Sequence, residues 1–127
     1  MNKAHHPESI GPATAPYSYG IEVPAGARWL YISGQVGARQ GQVGKTIEEQ
    51  SEIAWRNLLD VLESAGMGIR DVVKVTAFLT DSRFVVPYRS ARDRFQAGHK
   101  PASTLLIVQA LAMPEWLVEV EAIAAKT

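Results

Sequence analysis

The chain has no cysteine, no surplus of charge and no long apolar run, and each absence removes a class of function. Without cysteine there are no disulfides, thiolate nucleophiles or thiolate metal ligands, which fits a reducing, cytoplasmic setting. Thirteen Lys and Arg balance thirteen Asp and Glu, so no overall positive field draws the chain to nucleic acid or anionic lipid. No stretch approaches the ~20 apolar residues of a membrane-spanning helix. The opening MNKAHHPESIGPATAP also lacks the apolar segment of a secretory leader, and a soluble protein is expected. Histidine is scarce: His5 and His6 lie in that opening, His99 stands alone, and none has a partner at ligand spacing, so no metal is expected. The glycines form no phosphate-binding loop, and no cofactor is expected.

What is present suits one domain over residues 1–127, with 46% hydrophobic content to build its core. Residues 1–16 hold three of the seven prolines and read as an irregular lead-in. Two β-rich runs follow, Tyr17 to Val23 and Arg28 to Val36, joined by PAGA as a hairpin. Thr46 and Glu49 form a capping box that opens a helix from Ile47 to Ala65, with Gly66 closing it. Ala54, Leu58, Val61, Leu62 and Ala65 make its apolar face. The segment DVVKVTAFLTD alternates as a strand, Phe84 to Gln96 reads as a second helix with Pro87 in its first turn, and Ser103 to Gln109 and Trp116 to Ala124 complete the chain as strands.

The expected class is therefore α+β, a mixed β-sheet with two helices on one face. Phe78, Leu106 and Val108 are candidates for the other face, and an apolar face without helices needs a second copy of the chain to cover it. A homo-oligomer is expected. Trp29, Trp55 and Trp116 are assigned to core or interface.

Five segments in order, PYSYG, LYISGQVG, NLLDVLESAGMGIRDVVKVTAFLTD, KPAST and VEVEAIA, resemble the reactive-intermediate deaminase family, also called RidA, YjgF or L-PSP endoribonuclease-like, from about Pro16 to Ala124. The resemblance implies a chorismate-mutase-like fold and a homotrimer, with a central barrel and small-molecule pockets between subunits. It implies hydrolysis of imines or enamines to a keto acid and ammonia. Tyr17, Ser33 and Gly34 match substrate-binding positions, and Glu119 matches the glutamate that orients the attacking water. The family's best-known branch grips a substrate carboxylate with an arginine directly after "P-A"; Ser103 stands there instead, which places the chain with members lacking that clamp. An asparagine of that branch also has no match in VVPYRSARDRF.

Arg89 or Arg92 of a neighbouring subunit is the candidate replacement cation. Thr104 receives no role. Glu119 and Glu121 share a strand face roughly 7 Å apart, and the pair is read as one pocket or interface carboxylate and one edge carboxylate rather than a glycosidase dyad. Two other functions stand beside the hydrolase: a trimer that binds small molecules or a partner without turnover, and a ribonuclease, which the neutral charge disfavours.

Overall fold

Thr46 opens the longer helix, α1 (Ile47–Ser64), its Oγ1 accepting the Glu49 N–H at 3.1 Å. Such a cap contributes about 1 kcal/mol. The Glu49 carboxylate does not return to Thr46; it takes the Lys45 N–H at 2.7 Å, one residue further back. At the other end Gly66 adopts φ 69°, Gly66 N–H donates to Glu63 O and Met67 N–H to Leu62 O, both at 2.9 Å. That pair of bonds is the Schellman closure, which favours glycine at the left-handed position. All 127 residues are described by the computed structural model.

Eight strands and one further α-helix complete the chain. Strands β1 (Lys3–His5) and β2 (Gly20–Glu22) pair with each other; β3 (Arg28–Val36) is followed by the small ladder of β4 (Ala38–Arg39) and β5 (Gln42–Val43). After α1 come β6 (Val72–Leu79), α2 (Val85–Gln96), β7 (Ala102–Ile107) and β8 (Val118–Lys126). The four long strands form a mixed sheet in the order β3-β8-β6-β7, antiparallel except for β6 and β7. Parallel neighbours need a crossover, and α2 supplies it, with Pro87 in its first turn as expected. The result is the expected α+β arrangement, a mixed sheet with two helices on one face.

Alternation along β6 and β8 sends one set of side chains to the helices. Val75, Ala77, Leu79, Val118, Val120, Ala122 and Ala124 are buried with Trp55, Leu58 and Leu62 of α1 and Tyr88 of α2. Each fully buried Leu contributes roughly 1.5–3 kcal/mol. Tyr88 keeps its hydroxyl inside: burial pushes its pKa up to about 12, partly offset by the Trp55 indole N–H and the Arg92 charge.

Three expectations are corrected. Residues 1–16 are not irregular throughout, because Lys3–His5 pair with Gly20–Glu22, reinforced by the 2.8 Å contact between His5 Nε2 and Glu22 Oε1. The hairpin between Tyr17–Val23 and Arg28–Val36 does not form: β1 occupies the ladder positions of β2, while β3 finds seven matched partners on β8. The last two strands are also displaced slightly, to Ala102–Ile107 and Val118–Lys126.

Much of the sheet face away from the helices is exposed along β3 and β7. Tyr31, 73% exposed, and Trp29, 50% exposed, stack there at 6.4 Å beside Ile123. Phe78 and Leu106 pair on the same face, as expected. Val108 lies just beyond β7, its N–H bonded to Leu79 O at 2.8 Å.

Candidate functional site

The expected carboxylate is held by a bulge. Between Ile32 and Gln35 the β3–β8 register slips, so Ser33 and Gly34 together oppose Glu121. Gly34 then lies directly beneath the Glu119 carboxylate: a Cβ on Gly34 would overlap Glu119 Oε2 and sit 2.6 Å from Cδ. Only glycine leaves that space. Glu119 is half-buried between Val36 on β3 and Phe78 on β6, whereas Glu121, two residues on and on the same face, is exposed opposite Thr76. An apolar surround on two sides limits the water reaching Glu119, the setting in which a carboxylate can position one water and exchange a proton with it.

The segment leading into β8 is fixed from below by Gln50, a buried side chain of α1. Its Oε1 accepts Leu117 N–H at 2.8 Å, and its Nε2 donates to Glu115 O and Gly44 O, both at 2.9 Å. Gly37 passes so close to Gln50 that a Cβ would lie 2.6 Å from the Gln50 Cα. Gln50 thus sets the backbone two residues before Glu119. Nothing in its sequence context, a glutamine in a polar first turn, distinguishes it from a surface residue.

Tyr17 and Ser103 form a second group at the free edge of the sheet. Ser18 is buried and bridges to β7 in parallel with Ala102, its N–H donating to Pro101 O at 3.1 Å and its hydroxyl to Lys100 O. That stitch places Tyr17 beside the start of β7, its ring edge-on to Tyr19 at 5.7 Å. Ser103 is half-buried and pairs with Val75, so it shares the helix-facing side of the sheet. Glu119 is on the other side, with β6 intervening, about 14 Å away along and across the sheet. One chain therefore brings Ser33, Gly34 and Glu119 together, and separately Tyr17 and Ser103, but does not join the two groups.

The two candidate cations part company. Arg92 is buried in its own chain beside Tyr88, with Nε and Nη2 on Asp93 Oδ1 at 3.0 and 2.9 Å, and so is not offered to a neighbour. Arg89 is exposed on α2 and makes no ion pair. No three His, Asp or Glu side chains converge anywhere in the chain.

The Endoribonuclease L-PSP family profile matches residues 8–126. The chain belongs to this family, the RidA and YjgF group. Its sequence is 36% identical over 116 residues to the 2-iminobutanoate/2-iminopropanoate deaminase of Mus musculus, covering 88% of this chain and 82% of that one. Among solved structures, a protein of the conserved Rid family from Yersinia pestis superposes with a TM-score of 0.89 at 30% identity over 98% of each chain. E. coli TdcF with bound serine superposes with a TM-score of 0.75 at 25% identity over 91% of each. Within this RidA-family chain, Ser18 and Gln50 join the expected residues as the groups that hold Tyr17 and Glu119 in place.

Proposed function

We propose that this RidA-family chain is a hydrolase of small imines or enamines, acting in clefts between copies of itself in a homotrimer. The observation that carries the reading is the half-buried Glu119 carboxylate seated on Gly34, while Tyr17 and Ser103 lie beyond its reach in the same chain. A second copy laid on the uncovered face of Tyr31, Trp29 and Phe78 supplies the remaining wall. The edge strand β7 also leaves ladder groups free to meet a neighbour. The Mus musculus relative named as a 2-iminobutanoate/2-iminopropanoate deaminase supports the reaction class, and the serine bound by TdcF supports the size of ligand.

In the reaction Glu119 accepts a proton from water as its oxygen attacks the imine carbon. The carbon–nitrogen π pair moves to nitrogen, which takes that proton from Glu119 and so returns the side chain to its carboxylate form. The carbinolamine then collapses: its hydroxyl proton leaves through Glu119, a second proton reaches nitrogen, and ammonia departs from the new carbonyl. Ser103 offers a neutral hydrogen bond where the family resemblance places a guanidinium. A charge-assisted bond is about twice as strong as a neutral one, so the substrate is one that does not depend on a carboxylate clamp, or one whose carboxylate meets Arg89 of a neighbour.

The test generates 2-iminopropionate in place with an amino-acid oxidase and traps the remainder with semicarbazide. Turnover that falls in Glu119→Gln supports the assignment. No turnover that appears in Ser103→Arg supports the scaffold and moves the substrate to uncharged imines. Turnover unchanged in Glu119→Gln contradicts the reading.

A further inference from the structure

At the opposite end of the sheet from Glu119 the chain forms an open, solvent-facing depression of about 720 Å³. It lies where β6 begins at Val72 and β8 ends at Lys126, with β1 folded over it. Glu119 pairs with Phe78, six residues along β6, so the cavity is about 20 Å from that carboxylate. The volume falls in the 300–1,000 Å³ range of small-molecule sites. Its lining mixes apolar side chains, Ile21, Val72 and Ala125 among them, with charged and polar ones.

The charges are unbalanced there although the whole chain is neutral. Arg70, Lys100 and Lys126 line the cavity together with His6 and His99. None of the three permanent cations is in an ion pair, whereas Arg39, Arg56, Arg83, Arg92 and Arg94 each meet a carboxylate elsewhere. Their recorded bonds go to backbone carbonyls: Arg70 Nη2 to Ala97 O at 3.4 Å and Lys126 Nζ to Gly66 O at 3.0 Å. Asp71 is the one acidic side chain in the lining, and its Oδ2 already accepts the Gly68 N–H at 2.9 Å. His99 is held by its Nε2 on Val72 O at 2.7 Å, which leaves Nδ1 free.

We infer that this cavity binds a small phosphorylated metabolite, at a site remote from the chain's own Glu119 and bordering the Ser18 stitch that seats Tyr17. A phosphoryl group carries about −1.5 to −2 charges and three acceptor oxygens, which suits one planar guanidinium and two ammonium groups lacking carboxylate partners. The three basic residues come from three segments, the turn before β6, the turn before β7 and the end of β8, so the lining is assembled by the fold rather than by one run of sequence.

The test is calorimetric titration of the full chain with inorganic pyrophosphate at fixed ionic strength, with citrate as the carboxylate comparison. Amide chemical shifts locate the contact. The expected result is pyrophosphate binding that perturbs the amides of Val72, His99 and Lys100, weakened at least 10-fold in Arg70→Ala and in Lys100→Ala and unchanged in Lys45→Ala. Arg70 and Lys100 are exposed side chains, and the dispersion of the amide spectrum checks that each variant folds. Absence of binding at millimolar pyrophosphate, equal weakening in Lys45→Ala, or binding of citrate but not pyrophosphate overturns the inference.

Discussion

The Glu119 carboxylate rests on the α-carbon of Gly34, and the β-bulge at Ser33 and Gly34 is what brings the two together. Any side chain at position 34 displaces the carboxylate. In Gly34→Ala the fold is expected to persist, because position 34 lies at an edge strand with no left-handed φ. Displacement of about 1 Å in a reacting group can cost about 100-fold in rate. The imine assay should therefore show kcat down by about that factor while the circular dichroism spectrum is retained.

Gln50 makes the same point from the interior. Gln50→Ala removes three hydrogen bonds and leaves Leu117 N–H and Glu115 O without their partners. Each buried polar group left unpaired costs about 1–3 kcal/mol, so the expected loss is about 2–4 kcal/mol by urea denaturation. Gln50→Glu keeps the shape but sets a buried carboxylate against the Glu115 and Gly44 carbonyls, and should recover none of that loss at neutral pH.

Tyr88 gives the stability a dependence on alkaline pH. Burial raises its folded pKa to about 12, above the ordinary value of 10.0. An acid whose folded pKa is raised contributes fully below the unfolded value, and that contribution is lost as pH rises from 10 toward 12. Two pKa units correspond to about 3 kcal/mol. Denaturation midpoints measured from pH 9 to 12 should fall more steeply for the native chain than for Tyr88→Phe, which has no phenol to ionise.

The sequence was most informative where a local rule decides the outcome. Thr46 as a cap, Gly66 as a helix stop, Pro87 in a first turn and the alternation of Val75, Ala77 and Leu79 are each settled by neighbours within a few residues. Long-range pairing was not legible in the same way. The ladder of Lys3–His5 with Gly20–Glu22 joins segments that proline-rich sequence separates, and it overturns the expected hairpin. Site residues followed the same division. Glu119 and Gly34 could be put forward together from motif resemblance, and the bulge does place them side by side, but that Ser103 faces the helices depends on a parallel register with Val75. Gln50 and Ser18 act through backbone groups 65 and 82 residues away, and no local pattern marks such partners.

The central claim is that the site is completed by a second copy across the open sheet face, and Tyr31 tests it most directly. Tyr31 is exposed in the single chain and pairs with Ile123, about 13 Å along β8 from Glu119. Native mass and imine turnover are measured together for the native chain and Tyr31→Asp. The account predicts a native trimer, and a variant that is folded, monomeric and without turnover. A monomeric variant with full turnover would contradict it.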